Sequence, residues 1–295
     1  REDIAEEIAR IYGYHNLPSV LMSGQLPMNK ANSSNEFVFE ANIKNTLVSL
    51  GAIEVYNSSL VERGDIKLKN PLGSDTAYLR NNLKDSLISD IKNNPQEKGF
   101  IHMFELSNIY FPRKEDLPIE KLTLAGIIKN GEYRENKGIV EKLLDELNID
   151  FTIKLIDAKD YLPNQRLEVF SGNTRIGECG NLENGCYYYE FDIQKLIDSK
   201  KIERKYKEVA KYPPQVEDLT LVIPEKTYIG EVINSVKQLS QLISKLELTD
   251  IYEKNYTFNI EYQSDDHTLT DKEVEEIRTK ILSNLKSKFG INIKE

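Results

Sequence analysis

Tryptophan is absent from the 295 residues, and the chain holds only two cysteines, three histidines and three methionines. Two cysteines, Cys179 and Cys186, cannot build a disulfide framework, and they read as reduced thiols in a cytoplasmic setting. They also speak against a four-ligand zinc site, because His15, His102 and His267 show no ligand spacing near them. No apolar run approaches the roughly 20 residues that a membrane helix needs. The opening Arg1-Glu2-Asp3 lacks the charged-then-apolar pattern of a signal peptide. There is no Walker loop, no GxGxxG and no GxSxG elbow. A basic excess is missing as well: 39 Lys and Arg face 48 Asp and Glu, a net charge of -9. That argues against a broadly sticky nucleic-acid surface, since phosphate binding is mainly electrostatic.

What is present is an ordinary soluble composition, 39% hydrophobic and 29% charged, long enough for about two domains. Ile4, Ile8, Ile11 and Tyr12 form one stripe and predict a helix over 2–12, stopped at Gly13. The first residue is not Met and this helix starts at once, so the chain reads as a piece of something longer. Residues 14–35, with Pro18, Gly24, Pro27 and Asn32-Ser33-Ser34-Asn35, read as a loop and first linker. Phe39, Ile43, Leu47 and Leu50 predict a helix over 35–50, and residues 53–61 a strand. Leu79, Leu83, Leu87 and Ile91 are spaced by four and predict a helix ending at Asn93-Asn94-Pro95. Strands follow over 100–111 and 122–128, a helix over 137–148 and a strand over 151–155. A hairpin turns at Gly172-Asn173, and residues 187–191 make another strand. This is an α+β domain on a mostly antiparallel sheet.

Lys200, Lys201, Arg204, Lys205, Lys207 and Lys211, ahead of Pro213-Pro214, mark a second linker. Beyond it the pattern gives strand 219–223, helix 229–239, strand 246–252 and hairpin partner 256–262. Thr270 and Glu273 then make a capping box that opens a helix to Gly290, before a last strand at 291–293. The order βαββαβ is the ferredoxin-like split unit.

Asp3, Glu6 and Glu7 lie at i, i+3 and i+4, so their carboxylates share one helix face. Taken alone they read as a solvated acidic first turn, favoured by the helix dipole. Asp250 and Tyr252 alternate onto one face of their strand. Taken alone, Tyr252 reads as packing on helix 271–289. Lys211, Lys226 and Lys254 read as surface lysines. No Ser/His/Asp or Cys/His constellation supports an independent hydrolase, and His102 reads as a packed core residue.

Three segments together resemble one family, the phenylalanyl-tRNA synthetase beta subunit of the bacterial type. The run Glu2-Asp3-Ile4-Ala5-Glu6-Glu7-Ile8-Ala9-Arg10-Ile11-Tyr12-Gly13-Tyr14 resembles the end of a small domain. Asn70-Pro71-Leu72 through Leu79-Arg80 and Leu83, with Phe104-Glu105-Leu106-Ser107 and Tyr110, resembles the synthetase-like core. Tyr212-Pro213-Pro214, Asp218-Leu219-Thr220-Leu221-Val222 and Leu269-Thr270-Asp271-Lys272-Glu273-Val274 resemble the anticodon-binding domain. The resemblance divides the chain into a remnant at 1–28, a noncatalytic class II synthetase-like antiparallel sheet domain at 29–206 and a ferredoxin-like βαββαβ domain at 207–295.

The resemblance also carries functional expectations. Asp3, Glu6 and Glu7 match three of four acidic Mg2+ ligands at an interface with the alpha subunit, the fourth lying upstream of Arg1. Asp250 and Tyr252 match positions of anticodon recognition; by their place in the tail, Lys254, Lys226 and Lys211 are candidate phosphate neighbours. The partners are the alpha subunit, in a heterotetramer of two alpha and two beta chains, and tRNA(Phe). ATP is bound by the alpha subunit. Where a catalytic core would carry a phosphate-gripping arginine, this chain reads Phe104 to Tyr110, and Arg113 has no partner arginine. The chain is therefore expected to be inactive alone and to scaffold the alpha subunit through helix 35–50 and the strand after it. Before Asp218 the family usually has arginine where this chain has Glu217, which reads as a lost positive charge near the RNA face. The competing expectation is a stand-alone regulatory or amino-acid-binding module on a degenerate synthetase fold.

Overall fold

The computed structural model describes residues 1–20, 32–95, 98–114, 116–201, 206, 208–225 and 227–294. Gly24, Pro27, Arg204, Lys205, Lys207 and Lys226 lie outside the described residues. The chain forms two compact units, Arg1–Arg204 and Lys205–Glu295. Among the described residues no helix is long and apolar enough to cross a membrane.

The first unit opens with α1 (Glu2–Tyr12), which buries none of its residues; Ile4, Ile8 and Ile11 of its stripe stay exposed. α2 (Asn32–Ser49) starts three residues earlier than the apolar pattern suggests, because the polar Asn-Ser-Ser-Asn run, read as loop, forms its first turn. Next come β1 (Ile53–Glu54), β2 (Leu60–Val61), β3 (Ile66–Lys67), β4 (Tyr78–Leu79) and α3 (Lys84–Asn93). The single strand expected over 53–61 is in fact two short strands in different sheets. Leu79 does not belong to the helix its spacing suggested. It pairs in β4, and α3 begins only after Leu83.

β5 (Ile101–Phe111), β6 (Ile119–Lys129), α4 (Tyr133–Glu146), β7 (Thr152–Leu155), β8 (Tyr161–Ser171), β9 (Thr174–Leu182), β10 (Tyr187–Asp192) and α5 (Ile193–Ser199) complete the unit. α5 was not among the expected elements; Asp192 caps it by accepting from the Lys195 N–H. The main sheet runs β1-β5-β6-β10-β9-β8-β7, antiparallel except for β1 on β5. β2-β4-β3 form a separate small sheet.

Both faces of the main sheet are covered near its centre, which explains the nearly continuous apolar run of β10. Tyr187, Tyr189 and Phe191 join Phe104 and Leu124 under α2, α4 and α5. Tyr188 turns to the other face with Ala125 and Ile127, beneath Leu83, Leu87 and Ile91. Gly126 is required here: a Cβ on it would lie 2.1 Å from the Tyr189 ring. That ring donates or accepts through its hydroxyl with His102 Nε2 at 2.8 Å, and His102 is only 1% exposed. Burial lowers the His102 pKa to about 4.

The second unit holds β11 (Gln215–Val222), α6 (Ile229–Lys237), β12 (Ile243–Tyr252), β13 (Asn255–Tyr262), α7 (Asp271–Phe289) and β14 (Asn292–Ile293). Its antiparallel sheet runs β12-β13-β11-β14, with α6 and α7 packed on one face through Val232, Val236, Ile277, Ile281 and Leu285. Thr270 and Glu273 form the capping box of α7, and Gly290 ends the helix in the left-handed region, φ 67. Two register shifts interrupt β12, one between Ile243 and Lys245 and one between Leu248 and Asp250.

Candidate nucleic-acid interface

The second shift in β12 decides what the open face of the second unit carries. Leu246 and Leu248 point into the core, opposite Ile260 and Phe258. Strict alternation would send Asp250 and Tyr252 the same way. One extra residue, Thr249, makes a bulge and reverses the parity. Ile251 then sits opposite the core-packed Tyr256, while Asp250 and Tyr252 face outward opposite Thr257 and Asn255. Tyr252 is 66% exposed, so it does not pack on α7 as its residue type alone suggested.

The outward grid reads Lys245, Glu247, Asp250 and Tyr252 on β12, Glu261, Asn259, Thr257 and Asn255 on β13, and Val216, Asp218, Thr220 and Val222 on β11. Lys245 pairs with Glu247 at 3.1 Å and with Glu261 at 3.7 Å. Among the described residues, no cation pairs with Asp218 or Asp250. Asp250 accepts from the Ile251 N–H and Asp218 from the Asn259 amide. Lys254, in the turn, is not a lone cation. Its ammonium meets Glu225 at 2.9 Å and holds that carboxyl below its usual range. Such an exposed pair is weak, but it supplies Lys254 with a competing anion.

Glu217 corrects another expectation. It lies opposite Ile260, on the helix-covered face, where it accepts from the Tyr262 hydroxyl at 2.6 Å and lies 3.9 Å from Arg278. Its charge is therefore not taken from the open face.

In the first unit the charged residues behave differently. A transverse row crosses the sheet: Glu105 opposite Ala125, Ala125 opposite Glu190, Glu190 opposite Glu178, and Glu178 opposite Glu168. Glu105 and Arg80 are buried and paired at 2.7 Å. Arg80 also donates to the carbonyls of Asn57 and Asn108, and Asn57 bridges Glu105 to Asp90. Arg166 and Arg175 each join Glu168 to Glu178. Burial alone would push Glu178 up, but hydrogen bonds from Arg166 and Tyr161 hold it below its usual range. Tyr188 donates to Glu190 at 2.6 Å. A glutamate inside the apolar run Ile101–Phe111 is the sequence signal that points to this network. Arg113 is exposed and pairs with Asp116.

Asp3, Glu6 and Glu7 all lie exposed on α1, and Glu7 is engaged by Arg10 at 2.9 Å. Among the described residues no three acidic, histidine or cysteine side chains are placed to hold a metal ion. The three acids by themselves do not fit a Mg2+ site.

Comparison with known proteins covers both units. The family model for the phenylalanyl tRNA synthetase beta chain CLM domain matches residues 17–195, and that for the ferredoxin-fold anticodon binding domain matches 210–294. The phenylalanine–tRNA ligase beta subunit of Clostridium acetobutylicum is 26% identical, over all of this chain and 42% of its own length. That of Fusobacterium nucleatum is 27% identical, over 99% of this chain and 42% of its own length. A solved pyrrolysyl tRNA synthetase from Desulfitobacterium hafniense aligns at 12% identity over 55% of this chain and 65% of its own, TM-score 0.44. The chain thus spans about two-fifths of the curated relatives it matches. Its two matched spans, in this order and over nearly the whole sequence, make it a member of the phenylalanyl tRNA synthetase beta chain family.

Proposed function

We propose that the chain is a noncatalytic portion of the beta subunit of a cytoplasmic phenylalanine–tRNA ligase. It supports ATP-dependent charging of tRNA(Phe) by binding the alpha subunit and the anticodon region. The observation that carries this is the open face of the second unit. An exposed Tyr252 stands beside the uncompensated Asp250, within the span matched by an anticodon-binding domain. Single-stranded RNA is read by stacking unpaired bases on aromatic rings and hydrogen-bonding their edges. Tyr252 supplies the ring and Asp250 an acceptor for base donors. The acidic face repels phosphates, so the contact is confined to bases. Backbone charge is left to other surfaces of the assembly, in keeping with the net charge of -9.

The first unit supports a scaffolding role. Amino-acid activation needs cations aimed at the phosphates of ATP. Arg80, Arg166 and Arg175 are instead all held by glutamates of the same sheet. Docking of the alpha subunit falls to α2 and β1, where Phe37, Val38, Val48 and Ile53 are exposed.

The test pairs the chain with the anticodon stem-loop of tRNA(Phe). Tyr252→Ala should weaken binding about tenfold or more, since stacking on an aromatic ring contributes about 1–3 kcal/mol. Undiminished affinity would remove the stacking role. The scaffolding role predicts co-purification with an alpha subunit, and ATP–pyrophosphate exchange by the chain alone would refute the noncatalytic assignment.

A further inference from the structure

Both register shifts of β12 are built the same way. In each, one residue of β12 has no counterpart on β13: Ser244 in the first and Thr249 in the second. Each of these extra residues carries a hydroxyl. Ser244 Oγ donates to the carbonyl of Glu261 at 3.0 Å, and Thr249 Oγ1 donates to the carbonyl of Thr257 at 3.0 Å. Glu261 and Thr257 are the β13 residues that face the next residues of β12, Lys245 and Asp250. The same device thus occurs twice in one strand: the extra residue is tied by its own side chain to the strand beside it. Thr257 is in turn linked to β11, its hydroxyl lying 3.0 Å from that of Thr220.

The two ties differ in what else holds the strand beside them. Around the first, Ile243 and Leu246 are buried in the core of the unit. Their burial fixes the register there whatever Ser244 contributes. Beyond Leu248 every residue of β12 is exposed, and Ile251, the one that turns back toward the core, is 48% exposed. Core packing therefore has little grip on the segment that carries Asp250 and Tyr252. β12 is also an edge strand, paired on one side. A slip of one residue would turn over every side chain of that segment. At its head the Thr249 hydroxyl adds a tie to β13 that burial does not supply.

We infer that Thr249 is a positioning residue, whose hydroxyl holds the bulge that turns Asp250 and Tyr252 outward. It acts through those two side chains and touches no ligand itself. The inference rests on the RNA-binding reading of this face. The alternative is edge protection, because bulges also keep exposed edge strands from pairing with other chains. The two differ in what loss of the hydroxyl changes: binding through Tyr252 in the first, self-association in the second.

The experiment titrates the full 295-residue chain and its variants with the tRNA(Phe) anticodon stem-loop. Thr249→Val, which keeps the shape and drops the hydroxyl, should weaken binding about fivefold, the scale of one lost hydrogen bond. Thr249→Ser, which keeps a hydroxyl, should bind within about twofold of the wild type. Ser244→Ala, the matched loss at the first bulge, should do the same. In a Tyr252→Ala background Thr249→Val should lose most of its effect, because the ring it aims is gone. Circular dichroism melts show that each variant is native, and sedimentation shows its association state. If the wild type binds and Thr249→Val binds equally well, or its loss adds in full to that of Tyr252→Ala, the positioning role is refuted and the RNA reading stands. If Thr249→Val self-associates and its monomer binds normally, edge protection replaces the positioning role. Thr249→Ala serves if Thr249→Val does not fold; loss of the fold in both would make the hydroxyl a structural tie and overturn the inference. If the wild type binds no stem-loop, the RNA reading falls and the positioning role with it.

Discussion

The row of glutamates across the first sheet and the two aspartates on the open face of the second are treated in opposite ways. In the first unit, the row of four glutamates across the main sheet is met by Arg80, Arg166, Arg175 and two tyrosine hydroxyls of the same unit. In the second, Asp218 and Asp250 stand on an open face with no cation among the described residues, beside an exposed tyrosine. A low-dielectric site makes an unpaired charge costly, so the first unit must satisfy its own charges to fold. A solvated face imposes no such demand, and its acceptors stay available to a ligand. The difference separates a sheet whose charges hold it together from one that leaves two carboxylates, Asp218 and Asp250, solvated and without a cation among the described residues.

The sharpest way to break the comparison is to strip one buried partner. Arg80→Met leaves Glu105 buried without its cation and should destabilise the first unit by about 3–5 kcal/mol. Urea unfolding followed by circular dichroism measures this. Adding Glu105→Leu should recover most of the loss, because an apolar pair removes the stranded charge.

Acid should act next. The folded state keeps His102 neutral down to about pH 4 because burial disfavours its charged form, whereas its ordinary value is 6.5. Between these values the unfolded chain binds the extra proton, so stability rises with pH. The contribution is complete above about pH 6.5 and is lost as pH falls through 4. It amounts to about 3 kcal/mol. Urea midpoints at pH 7 and 4.5 should separate, and His102→Gln should narrow the gap; an equal gap in that variant removes His102 as the cause.

In the second unit the expected effects are smaller. Thr270→Ala removes the side-chain half of the α7 capping box and should cost about 1 kcal/mol, read as a lowered melting temperature. Asp218→Asn should shift stability by no more than about 0.5 kcal/mol, as exposed polar positions do. A larger loss would mean that Asp218 belongs with the structural carboxylates of the first unit.

Much of this was legible in the sequence because it is local. The α7 cap at Thr270 and Glu273, the stop at Gly290, the hairpin at Gly172-Asn173 and the long strand over residues 101–111 follow from period and turn chemistry. Non-local choices were not legible. Leu79 fits a four-residue helical spacing, yet its backbone pairs with Leu60 and Ile66. Residues 53–61 look like one strand, yet they serve two sheets. Glu105 was visible as a charge in an apolar run, but Arg80, its partner 25 residues away, was not assigned to it.

The sequence by itself determined the βαββαβ order of the second unit, because that order is written in local periodicity and turn chemistry. Only the tertiary structure decided which way Asp250 and Tyr252 point. Side chains along a strand alternate with period two, and pattern alone places Asp250 and Tyr252 with Leu246 and Leu248 in the core. The bulge at Thr249, set by how β12 pairs with β13, adds one residue and turns both outward. A register is a property of two strands, so neither strand's sequence contains it.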